Sequence, residues 1–283
     1  MSTFYRSVWI SDLHLASREC QADLVHSFLD SIKCDYLYLV GDIIDVWTLR
    51  QKWHWPRQYN EVVNKLLKRS RKGAQVVYIP GNHDEFFRGF VGIRFGDIVV
   101  KKRDIHTTAD GKRLLITHGD EFDTIVRHRR TLSLLATAAH QHLIRLNQAV
   151  NFIRRLIGLR DWSLSATVAR RMQEAFRHLR DYEDLLVDEA VRHGMDGIVC
   201  GHSHRPALIE RKGVLYCNTG DWTANCTALV EHTDGRLELI HWRDVLAQQN
   251  PQADQPPAPP RRRLIRRRPR VPATPAPAAE TAA

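Results

Sequence analysis

No stretch of this 283-residue chain approaches the roughly 20 consecutive apolar residues needed to cross a bilayer as a helix. Nor do the five cysteines (Cys20, Cys34, Cys200, Cys217 and Cys226) form a paired framework. Their odd number and the lack of a CxxC pair exclude a disulfide-stapled secreted scaffold and point to reduced, cytosolic thiols. Cys200 and Cys217 sit in strand-like runs and read as core filler. No internal repeat is present. The first apolar run begins within a few residues of Met1, so no room is expected for a signal peptide. The expected location is cytoplasmic.

Acidic residues are scarce in the last segment. Residues 251–283 hold two acids against seven arginines, and nine of the twelve prolines. Such a composition cannot bury a core, so 246–283 reads as a disordered Pro/Arg-rich tail behind a domain spanning 1–245. The tail supplies half of the formal charge of +10, which leaves the remainder only mildly basic. Its run Arg261-Arg262-Arg263-Leu264-Ile265-Arg266-Arg267-Arg268-Pro269-Arg270 suits an anionic membrane surface, where each basic residue is worth about 1 kcal/mol. Nucleic acid is the weaker alternative, and a purely solubilising tail the plainer one. Elsewhere a 43% hydrophobic content is ample for a core, and the length allows one or two domains.

Five short motifs carry the chemistry: Asp12-Leu13-His14, Gly41-Asp42-Ile43-Ile44-Asp45, Gly81-Asn82-His83-Asp84, His118-Gly119-Asp120 and Gly201-His202-Ser203-His204. Each follows an apolar run that reads as a buried strand: 7–10, 36–40, 76–79, 114–116 and 197–200. Polar groups at strand ends beside glycines are what an α/β sheet presents in its ligand crevice. Gly41, Gly81 and Gly201 are expected to let the backbone turn sharply there. On a strand, Asp12 and His14 would leave the same face. Taken singly, an Asp-x-His is usually a surface pair and a Gly-Asn-His-Asp a turn. Together the motifs offer two carboxylates, four imidazoles, one amide and two further acid/base groups. That is enough for two divalent metals a few Å apart, an arrangement that clamps the attacking and leaving oxygens of phosphoryl transfer.

In this order the motifs resemble the calcineurin-like metallophosphoesterase superfamily over about residues 4–245. The resemblance implies a four-layer α/β/β/α sandwich. It implies one metal held by Asp12, His14, Asp42 and His204, and a second by Asp42, Asn82, His118 and His202, with Asp42 bridging. It makes His83 a donor to the phosphoryl or leaving-group oxygen, beside Asn82 and oriented by Asp45. The plainer role for His83 is a structural hydrogen bond. Oxygen and imidazole donors without thiolate suit Mn, Fe, Co or Zn, and family habit favours Mn.

Between His118 and Gly201 strand character gives way to helical periodicity, read as an insert over about 124–193. Leu132, Leu135, Ala139, Leu143, Leu146, Val150, Ile153 and Ile157 form one apolar face, and Val168, Met172, Ala175, Leu179, Tyr182 and Leu186 a second. Ser163 or Ser165 is the expected start of the second helix and Gly194 its end. An arginine-rich polar side makes this cap suitable for a substrate both acylated and phosphorylated, or for a membrane surface. Most of these arginines are ordinary solvated charge. The insert, with Gly201-His202-Ser203-His204-Arg205-Pro206 and Gly220-Asp221-Trp222, is similar to UDP-2,3-diacylglucosamine pyrophosphatases. That likeness implies Mn-dependent release of UMP and an acylated sugar 1-phosphate, in lipid A synthesis at the cytoplasmic face of the inner membrane. His83 stands where members of that group usually have Arg. A phosphatase or phosphodiesterase acting on another lipid or a nucleotide is the alternative, and a non-catalytic metal-binding scaffold the alternative of another class. Trp47, Trp53 and Trp55 read as core or rim packing, or as the lining of an acyl slot. Segments 214–219, 226–232 and 236–242 are expected to form an antiparallel meander with a turn at Thr233-Asp234-Gly235.

Overall fold

Successive residues of one strand enter different hydrophobic cores, and this alternation fixes the architecture. A computed structural model describes residues 2–123 and 182–249. Strands β1 (Thr3–Ile10), β2 (Ile32–Val40) and β3 (Gln75–Ile79) pair in parallel. Helices α1 (Ala22–Ser31), α2 (Val46–Gln51) and α3 (Arg57–Arg71) connect them. Val8, Ile10, Leu37, Leu39, Val76 and Tyr78 pack toward α1 and α3 with Phe28, Val62 and Leu66. Their neighbours Trp9, Tyr38, Val40, Val77 and Ile79 join Leu114, Ile116, Val199 and Cys217 of a second sheet. Side chains alternate faces along a strand, so a strand apolar at every position must be covered on both sides.

The first sheet has seven strands in the order β12, β11, β1, β2, β3, β5, β4. Its remaining members are β4 (Arg94–Phe95), β5 (Ile98–Val100), β11 (Thr227–Glu231) and β12 (Leu237–His241). The second has five, in the order β6 (Asp104–Thr107), β7 (Arg113–Ile116), β8 (Gly197–Cys200), β10 (Val214–Asn218) and β9 (Ala207–Arg211). Helical residues 182–192 cover its outer face, where Tyr182, Leu186, Val187 and Ala190 meet Leu115, Ile198 and Tyr216. Helix α4 (Trp242–Gln249) returns to the first layer, its Trp242 ring 5.3 Å from Phe28. The layers are therefore helix, sheet, sheet, helix.

Gly194 ends the 182–192 helix as its sequence suggests. It adopts φ +61°, and Met195 N donates to Ala190 O at 2.9 Å while Gly194 N donates to Val191 O at 3.0 Å. This is a Schellman closure, which only a residue tolerant of left-handed backbone makes without strain. The cysteines are all free, and Cys200 and Cys217 are buried.

Three expectations need correction. Residues 214–218 do not join a meander with β11 and β12, because β10 pairs with β8 and β9 in the second sheet. Only β11 and β12 form the hairpin, turning at Gly235 with φ +87°. Asp12 and His14 lie beyond the end of β1 in left-handed backbone, so strand pleating is not what brings their side chains together. Helix α4 carries the chain to residue 249, past the expected domain boundary at 245. The apolar faces read between 124 and 181, and the tail from 250, lie outside the described residues. Among the described residues no helix is long and apolar enough to cross a membrane.

Candidate two-metal centre

All five motif loops leave the C-terminal ends of β1, β2, β3, β7 and β8 and converge where the two sheets meet. Five side chains of the set rest on left-handed backbone: Asp12 (φ 54°), His14 (48°), Asp42 (54°), His202 (64°) and His204 (54°). Such conformations cost on the order of 1–3 kcal/mol each and persist only where the surroundings enforce them. Here a ladder of loop-to-loop bonds does so. Asp12 N donates to Gly41 O (3.0 Å), His14 N to Asp42 O (2.9 Å), Asp45 N to Leu15 O (2.7 Å) and Gly201 N to His118 O (3.1 Å).

Three groups each could hold an ion: Asp12, His14 and His204; Asp42, His118 and His202; and His14, Asp45 and His83, which shares His14 with the first. In the first, Asp12 Oδ1 is 3.1 Å from His204 Nε2 and 3.8 Å from His14 Nε2, and those two nitrogens are 3.3 Å apart. The second joins Asp42, His118 and His202, with His118 Nε2 3.3 Å from Asp42 Oδ2. The same Asp42 oxygen is 4.0 Å from His14 Nε2, so it faces both of these groups.

The donor set fits divalent cations. Asp12 Oδ1, Asn82 Oδ1 and His118 Nε2 are buried without a well-aligned hydrogen bond, Asp12 and His118 meeting His204 and Asp42 at 3.1 and 3.3 Å. Buried orphans of this kind cost about 1–3 kcal/mol each unless another partner meets them. His118 donates from Nδ1 to Val40 O at 2.9 Å, which leaves the Nε2 lone pair pointing at Asp42. Without a cation the site holds protons instead. Burial opposes charging His118, yet the neighbouring Asp42 carboxylate pushes its pKa up to about 10. Burial likewise disfavours ionised Asp42, but His118, His14 and the His83 N–H hold it well below the usual carboxylate range. His202 moves the other way, lowered by burial and by the charge of His118. A cation relieves the opposing demands, since ligating imidazoles are neutral and ligating carboxylates ionised.

Asn82 lies between Gly81 and His83, whose N–H groups bind the Asp84 and Asp42 carboxylates at 2.6 and 2.8 Å. The His83 ring sits at the rim, with Nδ1 3.3 Å from Asp45 Oδ1. Burial lowers its pKa less than Asp45 and Asp42 raise it, so the net direction is upward. The other Asp45 oxygen faces His14 Nδ1 at 3.6 Å, and Oδ1 caps α2 by accepting Thr48 N at 2.8 Å. The structure thus groups Asp12, His14, Asp42, Asp45, His83, His118, His202 and His204, and buries Asn82 Oδ1 beside them in the third loop.

The glycines act differently from one another. Gly41 adopts φ +80°, whereas Gly81 and Gly201 have no positive φ. They are needed for space: a Cβ at Gly81 would overlap Asp42 Oδ1 and His118, and one at Gly201 would overlap Asp12 Oδ2 and Ser11.

Several contributors escaped the motif reading. Asp84 is fully buried and accepts from Ile43 N (2.8 Å), Gly81 N (2.6 Å) and Tyr78 OH (2.5 Å), tying the second motif loop to the third. Asp221 gathers Thr223 N, Ala224 N and Asn225 N into one turn, and Asn225 Nδ2 then binds His204 O at 2.9 Å. Asp123 Oδ2 lies 3.4 Å from His202 Nε2. Trp47 leans over His83 with centroids 4.3 Å apart and the planes tilted by 33°. Trp55 instead packs on Tyr59, and Trp53 is 75% exposed. The clue was available for Asp84, which lies inside a motif. It was not for Trp47, whose partner only the fold supplies.

Residues 5–206 match the family model described as calcineurin-like phosphoesterase. A UDP-2,3-diacylglucosamine hydrolase of Photorhabdus laumondii is 29% identical over 248 residues, which are 83% of this chain and 98% of that protein. Proteins of the same description from Vibrio cholerae and Haemophilus influenzae are 24% and 25% identical, covering 79% and 80% of this chain and 93% and 94% of their own.

Proposed function

The chain belongs to the calcineurin-like phosphoesterase family and is a metal-dependent hydrolase of phosphate esters, and on that premise we propose that it cleaves the pyrophosphate of UDP-2,3-diacylglucosamine. The products would be UMP and 2,3-diacylglucosamine 1-phosphate. The observation that carries the hydrolytic reading is Asp42, whose single oxygen faces both His14 and His118. The substrate rests on relatives that match across nearly their whole length.

Asp12, His14, Asp42 and His204 would hold one ion, and Asp42, Asn82, His118 and His202 the other; oxygen and imidazole donors without thiolate suit Mn, Fe, Co or Zn, and of these we propose Mn on the habit of the family. A divalent pair supplies a water of lowered pKa and positive charge for the phosphoryl oxygens. The chain's own contribution is positioning and proton control. Asp45 lies beside His83 Nδ1 and favours the charged imidazole, the form in which His83 Nε2 would have a proton to offer the phosphoryl or leaving oxygen. Trp47 leans over one face of that imidazole. Asp84 and the glycines keep the third loop close enough for Asn82 and His83 to reach the same centre. The Arg261–Arg270 run would bring the enzyme to anionic lipid on the cytoplasmic side of the inner membrane, where an acylated substrate resides.

The test is UMP release from UDP-2,3-diacylglucosamine by metal-stripped protein reloaded with Mn. The proposal predicts release that requires Mn and is abolished in His118→Ala. Cleavage of a simple phosphodiester without UMP release from the lipid would reject the substrate and keep the two-metal hydrolase. His83→Ala should lower kcat about 10²–10⁴-fold while leaving bound metal unchanged, as removal of a general acid does.

A further inference from the structure

The metal centre lies beyond the C-terminal ends of β1 and β2. At their opposite ends, roughly 25–30 Å away along the nine residues of β2, a second concave site opens between α1 and α3. Its lining is Ser2, Asp30, Ile32, Lys33, Lys65, Lys68, Arg69 and Lys72. Five side chains are cationic and one is acidic.

Two of the five are already engaged. Lys65 pairs with Asp30 and holds that carboxyl below its usual range, and Arg69 donates to Leu29 O at the end of α1. Lys33, Lys68 and Lys72 form no ion pair with any described residue. Helix C-termini attract cations, and α1 and α3 both end here, which is the ordinary explanation for basic residues in a last turn. The magnitudes decide against it as a full account. Each helix end carries about half a negative charge, so the two together offset about one of the four positive charges left after Asp30. About three remain unmatched in a cleft, a shape that concentrates potential rather than dispersing it.

The geometry points to a second phosphate-binding site in this α1–α3 cleft, with Lys33, Lys68 and Lys72 as its free cations. It suits a compact phosphate group, either a multiply charged one such as pyrophosphate or the singly charged phosphodiester of a lipid headgroup. Lys33 comes from β2, Lys68 from the last turn of α3 and Lys72 from the residue that follows it, so a ligand there would bridge the start of a strand and the end of a helix. The site is independent of the metal centre and of the substrate proposed for it.

Lysine-specific NMR on the full chain tests the site. None of the nine lysines falls in residues 250–283, so the arginine-rich tail contributes no signal. The protein is reductively methylated with ¹³C, which preserves charge, and titrated in chelator with pyrophosphate and separately with dihexanoyl-phosphatidylglycerol. Saturable shifts at Lys33, Lys68 and Lys72 are expected, at least tenfold weaker when any two of the three are replaced by Gln. Response to pyrophosphate would identify a soluble phosphate as ligand, and response to the lipid alone a headgroup. Turnover of a phosphodiester should be unchanged in the Lys33→Gln/Lys68→Gln/Lys72→Gln variant, showing that it folds. The site is refuted if neither titrant saturates these lysines, if all nine respond alike, or if Lys65, which lines the same cleft, reports the same affinity in that folded variant as in the wild type.

Discussion

Gly81→Ala should disable the enzyme while leaving it folded. Gly81 has no positive φ, so alanine costs nothing in backbone strain and its only consequence is steric. The added Cβ would sit 2.6 Å from His118 Nε2 and overlap Asp42 Oδ1, where ordinary contact begins at 3.4 Å. His118 must retreat by about 0.8 Å and Asp42 by about 1.1 Å, close to the 1 Å displacement that costs on the order of 10²-fold in rate. That loss corresponds to about 2.7 kcal/mol of transition-state stabilisation. Overpacking should cost about 1–3 kcal/mol of folding stability as well. The assay is kcat/KM on a phosphodiester with saturating metal, beside thermal unfolding. Gly73→Ala is the control, since a Cβ there meets nothing within 4 Å although φ is +95°. It should lose about 1 kcal/mol of stability and no activity. Wild-type turnover and metal content in Gly81→Ala would refute the claim that Asp42 and His118 are held by close packing.

Further outcomes follow from other parts of the fold. Asp84→Ala strands the donors of Ile43, Gly81 and Tyr78, and should cost on the order of 2–4 kcal/mol in denaturant unfolding as well as most activity. Burial raises the Glu231 pKa, but His106, Ser7 and the Ala109 N–H outweigh it and the folded value is depressed. Its stabilisation is therefore complete above the ordinary glutamate value of about 4.3 and is lost as pH falls through the lowered one. Glu231→Gln should flatten the acid limb of stability against pH; an unaltered limb would place acid sensitivity elsewhere. Chelation of protein held at 100-fold over the metal Kd should remove about 2.7 kcal/mol, lowering Tm by roughly 5–10 °C. An unchanged Tm would mean that the ions do not draw on the buried ligands.

Strands and motif loops were legible because each buried strand of the motif set ends at its polar cluster. Ile10, Val40, Ile79, Ile116 and Cys200 are the last apolar residues before the site, and all five end strands. Pairing partners were less legible. Val214–Asn218 and Thr227–Glu231 both read as apolar strands, yet one lies beside β8 and the other beside β1. Nothing local distinguishes them, since either could be buried on two faces, and the choice is made by contacts distant in sequence. The left-handed backbone of Asp12, His14, Asp42, His202 and His204 was invisible for the same reason: the neighbouring loops impose it against intrinsic preference. Glycine placement was legible, but its cause at Gly81 and Gly201 was not, because crowding by Asp42, His118 and Asp12 exists only after folding.

The central claim is that Asp42 joins two cation sites. Metal analysis after equilibrium dialysis against Mn, run with wild type and Asp42→Ala at matched turnover assays, tests it most directly. Two ions per chain in the wild type, with fewer than two and no turnover in Asp42→Ala, is the predicted result. A single ion in an active wild type, or an active Asp42→Ala, would contradict it.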